Sequence, residues 1–363
     1  MVELRAELLP PGAYRLPGPS ADGLLRRRGD VLLRLTHVDG QPLLLRAARR
    51  RDGAVVLGAR TVGDAPPTDD PRRLAARALA RWRHALAVDL DLRPFLRAHR
   101  DDPLIGASLR ERPWLRPSQR PTAFEALLCA VCEQLIAFED AVRIERRIVW
   151  RHGAALAVPE LAVPGRGGAR AQRAASLRDA PSAADVAARV TPAQLEACGL
   201  APKRAAALHR AAREIAAGRI DAELGGDSER ALLRLGRIPE IGSWTLALVA
   251  GQGFGRVDRP PSGDLNLVKA VGRMRTGDPR ARATEADVDA LLAPYAPWGA
   301  LAAAHLMATR GDRLPSGRAA AALLAARPPL APPPPRPRTV APPRSVRTLE
   351  PGRAAATAAT AAV

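Results

Sequence analysis

The hydrophobic periodicity of this chain changes once, near Pro71, and that single change fixes its fold class. Before it, the apolar runs Val31 to Val38, Pro42 to Ala48 and Ala54 to Ala59 alternate with turn signals. Asp39-Gly40 and Asp52-Gly53 fall between these runs, where tight hairpins need residues that tolerate left-handed backbone. After Pro71, apolar residues recur at helical spacing to about Ala326. Thr191-Pro192-Ala193-Gln194 is a capping-box start with proline at the first helical position, and Gly199 is placed to end that helix. Ser182 with Asp185 marks a second start, and Asp227-Ser228 opens a third. The expected architecture is α+β: a small N-terminal antiparallel sheet domain over residues 1–72, then a mostly α-helical domain over 73–327. Val163 to Ala171 (VPGRGGARA) breaks the helical pattern and reads as a flexible surface loop. From Arg327 onward the sequence holds ten prolines, six arginines and one glutamate, so residues 328–363 are expected to be a disordered tail with almost nothing to bury.

The balance of charge narrows the class of partner. The formal net charge is +19, and nearly all the cations are arginine, with Lys203 and Lys269 the only lysines. Such an excess favours a polyanion, because neutralised phosphates release their counterions. A genome biased toward arginine and alanine would give the same excess, so charge alone leaves nucleic acid and an inert bias both open. No 18-residue uncharged apolar run exists and the N-terminus lacks a signal-peptide pattern, which points away from a membrane and toward the cytoplasm, associated with the nucleoid. Cys129, Cys132 and Cys198 are too few for a disulfide framework or for the four thiolates of a cubane cluster. The Cys129-Ala-Val-Cys132 pair follows FEALL in mid-helix, a place for small core residues rather than reactive thiols. The six histidines are scattered singly, so neither a metal nor a cofactor is expected.

Chemistry concentrates between Leu235 and Gly272 (LGRIPEIGSWTLALVAGQGFGRVDRPPSGDLNLVKAVG). Ile238 and Ile241 can anchor a turn between packed helices, while Pro239, Glu240 and Gly242 occupy the turn itself. The amides after Gly242, from Ser243 on, then open a helix N-terminus suited to a phosphate. An ordinary helix–helix connection reads the same way. Asp264, preceded by Ser-Gly and followed by LNLVKAVG, is a good helix N-cap, and its position just past the hairpin's second helix also suits a catalytic carboxylate. Both readings stand at this level.

The combination IPEIGSWTLALVAGQGFGRVD…PSGDLNLVKAVGRM resembles the helix-hairpin-helix DNA glycosylase superfamily, and within it the 3-methyladenine DNA glycosylase II (AlkA) type. Arg120 to Ile144 is similar to that family's first core helix and the loop after it. Thr191 to Gly218 is similar to the helices before the hairpin, and Ala293 to Asp312 to the last helix. The N-terminal sheet is similar to the TATA-binding-protein-like domain of the full-length type, so the likeness runs roughly from residue 8 to residue 320.

That resemblance implies roles for particular residues. Asp264 falls on the catalytic carboxylate, and Trp244 on the position where bifunctional relatives carry a Schiff-base lysine, so lyase chemistry is not expected. Leu135, after Gln134, aligns with the wedge that fills the gap left by a flipped base. Trp244, Leu248, Leu265 and Met307 are implied to line the base pocket, and Ile238, Pro239, Glu240, Ile241, Gly242 and Ser243 to form the phosphate hairpin. Five positions, in three groups, depart from the family pattern. Glu240 stands where many hairpins have glycine; Leu248, Leu265 and Met307 replace tyrosine or tryptophan; Gly299 stands where relatives often carry arginine. The implied activity is monofunctional excision of alkylated purines (3-methyladenine, 7-methylguanine class) from double-stranded DNA by a monomer. Such bases already carry positive charge, so one carboxylate suffices to stabilise the oxocarbenium-like sugar. The alternative is a damage-binding protein that keeps the fold with weak or no excision.

Overall fold

The computed structural model describes residues 2–62, 70–158, 161, 176–309 and 322. The loop expected at Val163 to Ala171 and the tail expected at 328–363 lie outside these residues.

The N-terminal strands are β1 (Glu3–Leu8), β2 (Arg26–Arg28), β3 (Val31–Val38), β4 (Gln41–Arg49) and β5 (Val55–Thr61). They form one antiparallel sheet in the order β1-β5-β4-β3-β2. Val38 pairs with Gln41, so Asp39 and Gly40 are the whole connection, and their φ angles of 51° and 76° match the twist of the flanking strands. Alternation puts Leu32, Leu43, Leu45, Val55, Leu57 and Ala59 into one core with Leu74, Ala75, Ala78 and Trp82 of α1 (Pro71–Ala85). Leu33, Leu35 and Leu44 of the opposite face pack on Val158 and Leu177. Leu177 belongs to a ribbon of β6 (Ala155–Ala157) and β7 (Ser176–Arg178), which the sequence pattern does not announce. The boundary expected between residues 72 and 73 falls inside the first turn of α1. That helix completes the sheet's core, and Trp82 Nε1 donates to the Arg46 carbonyl at 2.9 Å.

The helical part begins with α2 (Arg93–His99), α3 (Gly106–Glu111), α4 (Ala123–Glu133) and α5 (Phe138–His152). Beyond β7 follow α6 (Ala183–Arg189), α7 (Pro192–Glu196), α8 (Pro202–Ala216), α9 (Ser228–Leu235) and α10 (Ser243–Leu248). Then come α11 (Leu265–Thr276), α12 (Glu285–Leu292) and α13 (Gly299–Ala308). The capping boxes at Ser182/Asp185 and Thr191/Gln194 are both closed, and Gly199 takes a φ of 109° after α7. Two apolar cores result. One gathers Phe124, Leu127, Leu208, Leu232, Ile238 and Val249 from the helices around α4 and the hairpin. The other gathers Phe95, Ile105, Leu267, Leu292, Tyr295 and Leu306 from α2, α3 and α11 to α13. Asp264 opens α11 of the second core and faces the hairpin of the first, so the site lies where the two meet.

Close packing holds the hairpin's second helix within the first core. α10 runs on into a π-helical turn, Val249–Gly253, that lies against α4. A β-carbon on Gly253 would stand 2.8 Å from Ala123 Cα, so only glycine allows this approach. Cys129, Cys132 and Cys198 are buried and free, and burial pushes the Cys129 and Cys132 thiols well above their ordinary range. Among the described residues no helix is long and apolar enough to cross a membrane.

Candidate active site

The hairpin is built as its composition dictates. α9 ends at Gly236, and Ile238 and Ile241 plug the turn into the core at 4% exposure each. Pro239 and Glu240 stand outside it, exposed. Glu240 has a φ of 70°, the left-handed region, in a residue with a β-carbon. Gly242 then caps α10 without any side chain, leaving the first-turn amides open at an exposed surface. One neighbour at this end was not foreseen. Ser243 Oγ donates to Glu285 Oε1 at 2.7 Å, and Glu285 is the first residue of α12, 42 positions away.

Gln134 joins this hairpin to the loop between α4 and α5. Its Nε2 donates to the Glu240 carbonyl and to Thr245 Oγ1, both at 2.8 Å. The next residue, Leu135, has a φ of 54° and is 94% exposed, with Ile136 and Phe138 also exposed beside it. A large apolar side chain held almost wholly in water by a strained backbone is costly in the free protein, and it points to a use in a complex.

Asp264 is placed for both roles that the sequence left open. Its Oδ1 caps α11, accepting from the Asn266 amide at 2.8 Å and the Leu267 amide at 3.3 Å. Its Oδ2 faces the hairpin, where Trp244 Nε1 donates at 3.4 Å across 20 residues of sequence. One oxygen is committed to structure and the other to the cleft.

The other proposed pocket residues are placed unequally. Leu248 lies one turn beyond Trp244 on α10, half-buried, and Leu265 follows Asp264 with 48% exposure. Met307 is in the last turn of α13, 42% exposed, on a helix that packs against α3, α11 and α12. Gly299 sits at the start of α13 against a neighbouring loop, where a β-carbon would stand 3.1 Å from Pro260 Cδ. Arginine at that position would need the 258–260 segment to shift.

A second carboxyl escaped the sequence reading. Glu133 is the last residue of α4, directly before Gln134. Burial raises its carboxyl above the ordinary carboxylate range, the negative charge of Asp264 raises it further, and Arg120 opposes both. Behind it Glu145 of α5 is buried with one carboxyl oxygen unpartnered, and burial pushes it up to about 8. Nothing in the sequence marks Glu133, because it ends an apolar helix whose distance to Asp264 is set only by tertiary packing.

No protein-family model matches the chain, and no curated protein does. Solved structures match well. The 3-methyladenine DNA-glycosylase from Archaeoglobus fulgidus is 18% identical with a TM-score of 0.62, over 84% of this chain and 97% of that one. The apo-form of the Clostridium acetobutylicum 8-oxoguanine glycosylase/lyase is 12% identical with a TM-score of 0.52, over 78% of this chain and 97% of its own. The same enzyme in complex with dsDNA containing cytosine opposite 8-oxoG gives a TM-score of 0.53 at 12% identity, over 78% of this chain and 96% of that one. The likeness is one of fold, and it takes in the antiparallel sheet and the helical domain together.

Proposed function

We propose that this protein is a monofunctional DNA glycosylase of base excision repair, flipping damaged purines out of double-stranded DNA and hydrolysing their N-glycosidic bond, with alkylated purines as its substrate class. The observation that carries this reading is the pairing of Asp264 Oδ2 with Trp244 Nε1 at the mouth of the hairpin. A carboxylate there can stabilise the positive charge that grows on the deoxyribose and can orient or deprotonate the attacking water. The tryptophan in the hairpin leaves no amine for a Schiff base; the lysines stand at positions 203 and 269. Leu135, held out of the protein by Gln134 and its own backbone, has the exposure a wedge needs to hold the gap of a flipped base. The hairpin amides grip a phosphate from the same side. The DNA-binding reading without excision draws support from the side chains at 248, 265 and 307, which supply no aromatic stacking surface.

The test is release of 3-methyladenine and 7-methylguanine from alkylated duplex DNA by the wild type beside Asp264→Asn. The proposal expects release by the wild type and a loss of at least a hundredfold in the variant, with DNA affinity kept. An equal rate in both, or no release by the wild type, refutes it. Borohydride trapping is expected to give no protein–DNA adduct.

A further inference from the structure

Two carboxyls at opposite poles of two helices are tied to α10, Asp264 through Trp244 and Glu133 through its neighbour Gln134, which bonds Thr245. Asp264 sits at the N-terminus of α11, where its Oδ1 accepts from the Asn266 and Leu267 amides. Glu133 sits at the C-terminus of α4, where the dipole disfavours charge, with buried Cys132 before it. Gln134, the next residue, is bonded to Thr245 Oγ1 and the Glu240 carbonyl, which fixes the end of α4 against the hairpin. Trp244 of that hairpin reaches Asp264. Glu133 is half-buried rather than sealed in the core, so its carboxyl can meet a ligand. Among the described residues no side chain pairs with it, while nearby Arg120 is engaged by Asp22 at 2.6 Å and Glu125 at 3.6 Å.

We infer that Glu133 is a second catalytic group, a general acid that protonates the departing base, and that it extends excision to damaged purines that are electrically neutral. This inference rests on the glycosylase reading above. Pairs of carboxyls whose surroundings push their proton affinities apart are the arrangement that divides acid from base work. Here the surroundings act in the direction required: burial raises the Glu133 carboxyl above its ordinary range, Arg120 opposes it, and the charge of Asp264 adds to the rise. A cationic alkylpurine leaves as a neutral molecule and needs no acid. A neutral purine would leave as an anion unless a ring nitrogen is protonated. In the proposed step the C1′–N bond breaks and its electron pair passes to the base, while the Glu133 proton moves to a ring nitrogen. Water adds to C1′ and gives its proton to Asp264. The product is a free neutral base and an abasic sugar, and solvent returns the two carboxyls to their starting states.

The test uses the full chain and two duplexes, one carrying hypoxanthine as the neutral base and one carrying 7-methylguanine as the cationic base. The readout is the ratio of single-turnover release rates, which does not depend on the fraction of enzyme that is folded. Glu133→Gln is expected to lower the neutral-to-cationic ratio by at least tenfold, since acid catalysis contributes roughly 10²–10⁴-fold. The wild type should also lose neutral-base release as pH rises through the Glu133 titration, a limb absent from the variant. The groups facing Glu133 are Asp264, Arg120, Glu145 and Cys132. A ratio unchanged in Glu133→Gln, or a wild type that releases only the cationic base, overturns the inference while leaving the glycosylase reading intact. Release of neither base defeats that reading itself.

Discussion

Glu240 gives the sharpest test of the hairpin, because its backbone and its charge can be separated. Its φ of 70° places a residue with a β-carbon in the left-handed region, at a cost of about 1–2 kcal/mol. Glycine removes that cost but loses about 0.5–1 kcal/mol through its freer unfolded chain, so Glu240→Gly should stabilise by about 0.5–1 kcal/mol. For a chain of this size the gain corresponds to a rise of roughly 1–3 °C in Tm. Glu240→Ala keeps the β-carbon and the strain, and should leave Tm within about 1 °C. Both variants remove a carboxylate beside the phosphate site. At an assumed separation of about 8 Å in water that charge opposes a phosphate by roughly 0.5 kcal/mol, so both should bind duplex DNA about twofold more tightly at low salt. The gain should fade as salt screens it. Calorimetric melting and anisotropy titrations on the three proteins read the two effects independently. A glycine variant no more stable than the alanine variant would refute the strain, and affinities unchanged in both would refute the charge.

Three further outcomes follow from the same geometry. Leu135→Ala should leave stability within about 0.5 kcal/mol of wild type, because the side chain is 94% exposed, yet reduce binding and excision at a lesion by roughly tenfold; equal activity would remove the wedge. Gln134→Ala deletes two 2.8 Å hydrogen bonds between the wedge loop and the hairpin, worth about 1–3 kcal/mol together, and should show as faster amide exchange at Glu240 and Thr245 as well as a lower Tm. Glu145 is held at about 8 when folded against an ordinary value of 4.5, so the unfolded state binds fewer protons in that window and stability falls as pH rises from about 5 to 8. Burial dominates that shift, Glu133, Asp22 and Glu125 add to it, and Arg120 opposes it. Glu145→Gln should flatten the decline by roughly 2–4 kcal/mol, read from denaturant melts at the two pH values. An unchanged slope would show that another group controls it.

Sequence by itself determined the local structure. Apolar runs between turn signals marked β3, β4 and β5 but not β1 or β2, and Asp39-Gly40 formed a hairpin with both residues at positive φ, because the rules involved reach only a few residues along the chain. Ser182/Asp185 and Thr191/Gln194 closed as capping boxes for the same reason. The two-isoleucine hairpin and the capping position of Asp264 were legible too, since each is local. Tertiary packing decided the rest. Whether α1 belonged to the sheet depended on Trp82 finding the Arg46 carbonyl, a contact across 36 residues. Glu285 met Ser243 across 42 residues, and Gln134 reached Thr245 across 111. Asp264 Oδ2 met Trp244 Nε1 only because packing brought the hairpin to the start of α11. Glu133 acquired its proton affinity from burial and from a charge on another helix, and a carboxyl's chemistry is set by what surrounds it rather than by its place in the chain.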